Sequence, residues 1–189
     1  MKILVVSQYF YPENFRINDL CYGLNEMGHE VEVLTGKPNY PKGSFYKGYS
    51  WYTKQTEVIN GIKVYRSNLI PRGNSGGFRL FLNYFSFVFF ASIKLFFIKQ
   101  KFDKIFVYAP SPITVGFIGI IASFIFRAKP FLWVHDLWPE SLKDAGGITN
   151  KIALGLVNLM TKLIYYFYHI ILVQSPRFRE YLIEQGVSK

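Results

Sequence analysis

Short runs of almost wholly apolar residues recur along the chain, each followed by a stretch of helical character. "KILVVSQ" (2–8), "EVEVLTG" (30–36) and segments 103–109, 130–135 and 169–174 read as strands. Between them Arg16 to Met27, closed by Gly28, and segments 79–101, 112–127 and about 149–168 read as helices, with a last helix from about 176. A sheet with one wet face alternates apolar and polar residues, whereas strands that are apolar throughout need helices on both faces. The pattern predicts an α/β domain: a Rossmann-like, doubly wound, mostly parallel sheet with helices on both sides. "EVING" and "IKVYRSNLI" depart from it as a hairpin turning at Asn60-Gly61. The whole chain, 1–189, is read as one such domain.

In a sheet of this kind ligands lie beyond the carboxyl ends of the strands. Those ends are Ser7 to Arg16, Gly36 to Tyr49, Ala109 to Pro112 (with Ser111), His135 to Asp144, and Gln174-Ser175. The stretch "FLWVHDLWPES" (131–141) changes there from a greasy strand to a stiff turn holding an imidazole and two carboxylates. At such a rim His135 can donate to a developing negative charge, and Asp136 can accept a hydroxyl proton. Asp136 also suits a turn or helix cap, and Glu140 in "PES" equally reads as a helix start. The loop 36–49, "GKPNYPKGSFYKGY", is longer than a plain connection and offers Asn39 and Tyr40 as handles for a sugar-like molecule. "PENFR" (12–16) sets Glu13 and Arg16 at the first helix N-terminus, a position suited to a polar or anionic ligand. "GNSGG" (73–77) is read as a hinge in the link into helix 79–101.

Several chemistries are excluded by what is missing. No GxGxxG follows the first strand, and the one GxSxG spacing, "GNSGG" (73–77), does not directly link a parallel-sheet strand to a helix as a serine elbow does. One Cys and three His, at 29, 135 and 169, lack metal-ligand spacing, so neither metal nor cofactor is expected. Cys21 reads as core, and a single cysteine fits a reducing compartment. The net charge of +10 asks for an anionic partner. Yet no helix-turn-helix, zinc or RNA-binding pattern is present, which argues against nucleic acid. Between Glu57 and Asp136 the only acid is Asp103, in the most apolar part of the chain. Basic and apolar together point to a membrane surface. No uninterrupted apolar run reaches the length of a membrane span.

Taken in order, "VVSQYFYPENFRINDL", "GHEVEVLTGKPNYPKG", "NGIKVYRS" and "VHDLWPESL" resemble the N-terminal half of family-4 glycosyltransferases of GT-B architecture. The branch it resembles is that of bacterial capsule, O-antigen and colanic-acid transferases. The resemblance implies a retaining, metal-independent transfer from a nucleotide sugar, UDP-linked, to a polyprenyl-diphosphate-linked saccharide. It also implies an acceptor-binding role for this half, with a donor-binding C-terminal domain absent from these residues and no turnover without it. The family histidine that approaches the donor sugar and phosphate maps onto His135, with Asp136 and Glu140 carried over as site carboxylates. Such an enzyme is expected peripherally on the cytoplasmic face of the bacterial membrane. A non-catalytic sugar or lipid-carrier binding module, and an unrelated nucleotide-binding domain, remain open on the residues alone.

Helical spacing over 79–101 puts Arg79, Asn83, Ser86, Phe90, Lys94, Phe97 and Lys101 on one narrow stripe. Rings among cations suit a surface resting on anionic lipid, so Arg79, Phe90, Lys94, Phe97 and Lys101 are the expected membrane contacts.

Overall fold

A computed structural model describes residues 1–74, 76–144 and 149–187, with the side chain of Asp144 set aside. Ser75 of the expected hinge and the last two residues of the expected single domain lie outside that set. The strands are β1 (Lys2–Ser7), β2 (Glu30–Gly36), β3 (Thr56–Ile59), β4 (Ile62–Ser67), β5 (Lys104–Ala109), β6 (Lys129–Val134) and β7 (Ile170–Val173). The helices are α1 (Arg16–Glu26), α2 (Gly77–Leu95), α3 (Val115–Phe126), α4 (Glu140–Asp144), α5 (Lys151–Phe167) and α6 (Pro176–Glu184).

The sheet runs in the order β3-β4-β2-β1-β5-β6-β7. All neighbours are parallel except β3 with β4, the hairpin expected at Asn60-Gly61. Both turn residues have positive φ, +49° and +80°, as a tight hairpin with the right-handed twist of its strands requires. The doubly wound expectation is met: the chain leaves β1 toward β2 and β4, then returns to the other side through β5, β6 and β7. The order reverses between β1 and β5, so those two exits form the crevice where a ligand enters.

The pleat divides the apolar residues into two cores. Leu4, Val6, Ile105, Val107, Leu132 and Val134 face the layer of α2, α3 and α5. Ile3, Val5, Val31, Val33 and Val64 face α1, which contributes Ile17 and Cys21. Successive strand residues thus serve opposite cores, which explains why the strands carry so few polar residues.

Helix α2 ends six residues before the sequence reading placed its end. Ile98 and Phe102 are buried, and the chain must leave the helical axis through a turn at Phe96–Ile98 to bring both inward before β5. No Gly or Pro marks this stop, so the sequence carried no local signal for it. Helix α3 likewise begins at Val115, after a turn in which Val115 and Gly116 donate to Pro112 and Ile113.

Gly119 lets α3 lie directly on the sheet. A Cβ there would fall 2.2 Å from the Tyr168 hydroxyl oxygen and 2.3 Å from Val107 Cγ2. Tyr168 is itself fully buried and donates to Gly116 O at 2.7 Å, so it cannot swing aside without losing that bond. Gly119→Ala is expected to cost about 1–3 kcal/mol by overpacking and to lower the unfolding midpoint by on the order of 5 °C. Gly155→Ala, on α5 with nothing within 4 Å of the new methyl, is expected to stabilise slightly instead. Thermal melts of the two variants side by side check the pair.

Candidate functional site

At the β1 exit the chain turns sharply and builds a ring cluster. Tyr9 stacks on Phe15 with centroids 4.6 Å apart, and Tyr40, from the loop after β2, leans on both at 5.7 and 5.5 Å. The Arg72 guanidinium lies 4.9 Å over the Tyr40 ring, and its Nη1 donates to the Tyr9 hydroxyl oxygen at 3.1 Å. Arg72 Nε is buried without a partner among the described residues, a donor left for something else. Tyr84, from α2, completes the group through hydrogen bonds with Tyr9 and with Ser111 at the β5 exit. Tyrosine hydroxyls, a serine and a guanidinium thus converge on the β1–β5 crevice. That is the donor and acceptor set expected for a hydroxyl-rich or anionic ligand.

The loop 36–49 is held from below. Glu13 is buried, and its Oε1 accepts from the backbone N–H groups of Asn39 and Tyr40 at 2.9 and 2.7 Å. Asn39 is also buried. Its amide donates to Lys37 O, and its Oδ1 accepts from Arg72 N and Asn83 Nδ2. Glu13 Oε1 and the Asn39 amide, both from expected ligand contacts, hold the loop itself, whereas Glu13 Oε2 is buried without a partner among the described residues: a long loop drawn into the domain leaves N–H groups that only fixed side chains can satisfy. Tyr40 and Ser111 do stand at the crevice. Lys37, fully buried, donates to Ser50 O and to Thr53 O and holds the far end of the same loop. Gly43 and Gly73 meet so closely that a Cβ on Gly43 would sit 1.9 Å from Gly73 O, pinning the loop to the link before α2.

At the β6 exit, His135 N still donates to Ala109 O, extending the ladder by one residue. Its ring rests edge-on against Tyr108 and Trp133, at 4.6 and 4.3 Å. Burial, helped by the charge of Arg16, holds its pKa below the ordinary histidine value, so the imidazole is neutral at pH 7. His135 Nε2 is buried and has no partner among the described residues. Arg16, the first residue of α1, is exposed and within electrostatic reach of His135 and Tyr108. The structure therefore brings two expected site residues together from distant parts of the chain.

Asp136 does not join them. Its carboxylate accepts from Ser141 Oγ and lies within electrostatic reach of Tyr84 and Tyr165, neighbours on the α2–α5 side. His135 and Asp136 are adjacent in sequence, but the pleat gives them different surroundings. Glu140 starts α4 and accepts from the Tyr181 hydroxyl of α6, with Lys143 at 3.7 Å. It thus links two helices and opens α4, the helix start that the sequence reading held equal to a site carboxylate.

The stripe expected to face lipid is also redrawn. Asn83 and Ser86 are buried, Phe90 is half-buried edge-on against Trp51, and Lys94 donates to Gln55 Oε1. Arg79 and Phe97 are exposed, as is Lys101, which lies beyond the end of α2. Polar residues in an apolar helix turned inward here because the α2 neighbours offer unpaired carbonyls and amides. The residues of this crevice cluster that sequence reasoning missed are Tyr9, Arg72 and Tyr84. Their signal was position: Tyr9 lies two residues past β1, and Arg72 sits in the link that was read only as a hinge.

The profile of the glycosyl transferase 4-like domain family matches residues 14–189. Among solved structures, the chain is similar to sucrose-phosphate synthase from Thermosynechococcus elongatus, with a TM-score of 0.64 and 17% identity. That match covers 97% of this chain and 44% of the synthase, so the chain spans less than half of that relative's length. The catalytic domain of starch synthase IV from Arabidopsis thaliana also matches, with a TM-score of 0.46 and 17% identity over 69% of this chain and 33% of that one. A search of curated proteins returns no match.

Burial raises the Glu13 pKa from 4.5 to about 7, against the pull of the two N–H donors and Arg66. The folded state then keeps a proton that the unfolded chain releases. The contribution of this group to stability is complete below about pH 4.5 and is lost as pH rises toward 7, at roughly 1.4 kcal/mol per unit. Glu13→Gln keeps an acceptor for the two N–H groups and removes the titration. Urea unfolding at pH 5 and at pH 8 should show a smaller loss of stability in the variant than in the wild type.

Proposed function

Because the chain belongs to the glycosyl transferase 4-like family, we propose that it is the acceptor-binding half of a retaining glycosyltransferase. The reaction moves a sugar from a nucleotide sugar, UDP-linked, to a lipid-linked saccharide in bacterial surface polysaccharide synthesis. The protein works peripherally at the cytoplasmic face of the membrane, and a donor-binding half grips the nucleotide across the crevice. The observation that carries this reading is His135: a neutral imidazole with an unpaired, buried Nε2 at a strand exit beside Arg16.

In the proposed step the acceptor hydroxyl oxygen bonds to the anomeric carbon, while the bond from that carbon to the phosphate oxygen breaks. The electron pair leaves with the nucleoside diphosphate, and the hydroxyl proton passes to the departing phosphate on the same face. No protein nucleophile is needed. His135 donates from its ring N–H to the donor sugar or phosphate, and Arg16 adds positive charge where negative charge grows. Tyr9, Tyr84 and Ser111 orient acceptor hydroxyls, and Arg72 takes an anionic part of the acceptor through its spare Nε–H.

In the full-length enzyme His135→Ala should lower kcat by about 10²–10³, the scale of an oxyanion-hole donor, with little change in acceptor KM. Arg72→Gln should act the other way, raising acceptor KM more than it lowers kcat. Because the neutral ring already carries the N–H donor and its pKa is lowered, the rate should be flat in pH above 6.5, with no titration of His135 visible there. Steady-state transfer assays over pH measure all three. An unchanged kcat for His135→Ala would reduce His135 to a packing residue under Trp133 and Tyr108.

A further inference from the structure

Helices α2, α3 and α5 form one layer, with α3 packed between the other two. The outer side of this layer is apolar rather than wet. On α2 and at its C-terminal cap, Phe78, Phe81, Phe85, Phe89 and Phe96 stand between 52 and 75% exposed, at spacings of three, four, four and seven that keep them on one face. On α5, Ile152, Leu156, Leu159 and Leu163 repeat the pattern, between 49 and 77% exposed. Phe124 of α3 is exposed between them and touches Phe167 at the end of α5, with centroids 6.1 Å apart. Soluble proteins rarely leave so continuous an apolar surface open to water.

The charges on these three helices have one sign. The sequences of α2, α3 and α5 contain no Asp or Glu; helical spacing puts Arg79, Lys151 and Lys162 beside the apolar faces, while Lys94 is on the inward side and donates to Gln55 Oε1. Asp19 and Glu26 lie on α1 and Glu180 and Glu184 on α6, while Glu140 stands at the flank of α5 beside Gly155 and Asn158, paired with Lys143 and the Tyr181 hydroxyl. A surface of rings and branched aliphatics with cations beside it and no carboxylate on its own helices complements anionic headgroups over an acyl layer.

Helix α2 is long and apolar enough to cross a bilayer by length and composition. It does not do so here, because Asn83, Ser86, Phe87, Ala91 and Leu95 are buried beneath it against the domain. Only its outer face is open, so the helix can lie in the plane of an interface but cannot thread through it. We propose that the outer face of the α2–α3–α5 layer is a docking surface for an anionic lipid bilayer, into which the Phe81–Phe85 side of α2 inserts. This deepens the membrane placement in the reading above and rests on it only for biological context, since the binding requires no sugar transfer.

The test is flotation of the purified full-length protein with vesicles of phosphatidylcholine alone or mixed with phosphatidylglycerol. The wild type should float with the mixed vesicles and far less with the neutral ones. Phe81→Ser/Phe85→Ser removes exposed rings that bury little within the fold, and it should cut the bound fraction by about tenfold. Arg79→Glu/Lys162→Glu should weaken binding by about fivefold for each charge lost and remove the preference for the anionic vesicles. Circular dichroism melts matching the wild type keep these results tied to the surface. Equal flotation of all three proteins overturns the proposal. So does a wild type that ignores vesicles but self-associates in sedimentation through the same phenylalanines, which would make the face a contact between copies. Transfer to a water-soluble acceptor, assayed in parallel, separates the two claims: lost flotation with intact transfer rejects the docking surface alone, and intact flotation without transfer rejects the enzymatic reading alone.

Discussion

Asn83 is fully buried on a helix that is otherwise almost wholly apolar, and its amide has to be hydrogen-bonded there. It donates to Ile70 O at 2.6 Å and accepts from Gln8 Nε2 at 2.7 Å, while Asn39 Oδ1 receives a longer bond at 3.3 Å. Ser86, one turn on, accepts from Ile70 N. These bonds join α2 to the β1 exit, to the loop after β2 and to the chain after β4. They leave the helix a single rotation about its axis. That rotation brings Tyr84 to the crevice beside Tyr9 and Ser111, and it turns Phe81, Phe85 and Phe89 away from the domain. Both the site and the outer apolar surface follow from it.

Arg66 does the same work on the other flank. Its side chain is fully buried, donates to Glu57 Oε1 at 2.7 Å and to Gly36 O at 3.2 Å, and reaches Tyr11 O as well. One guanidinium therefore ties the edge hairpin, the β2 exit and the loop after β1. A buried arginine is costly unless every donor is met, and these backbone carbonyls occur only where three strand exits converge. The crevice floor is rigid because it is made from groups that have no other way to be satisfied.

The sheet was legible in the sequence because its signal is redundant. Each strand repeats the same apolar run, and the turn residues Asn60 and Gly61 require the very φ values they adopt. The rim was legible for a topological reason, since any doubly wound sheet puts its ligands beyond the strand ends. What periodicity does not carry is which polar residues look inward. Asn83 and Ser86 sit on a stripe with Arg79 and Lys94, and from spacing alone a polar stripe reads as solvated. Only the unpaired groups of Gln8, Asn39 and Ile70, distant in sequence, decide otherwise. Glu13 and Asn39 show the same limit: they stand at the rim, and loop closure takes Glu13 Oε1 and Asn39 Oδ1 while Glu13 Oε2 stays without a partner among the described residues.

The separation of His135 from Asp136 bears on what such a rim can do. A strand exit presents consecutive side chains to opposite sides, so an adjacent imidazole and carboxylate cannot act as a pair unless the chain bends between them. Here His135 stays on the ladder through Ala109 O and packs on Trp133, the residue two before it, as an extended strand dictates. Asp136 is taken by Ser141 of the following turn. The imidazole thus has no carboxylate to fix its charged form, and burial together with Arg16 favours the neutral one. A neutral ring is a poor electrostatic clamp for a diphosphate but a sound single hydrogen-bond donor, so positive charge at this rim has to come from arginines. Arg16 stands within electrostatic reach of His135, and Arg72 bonds the hydroxyl of Tyr9, whose ring stacks on Phe15, the residue before Arg16.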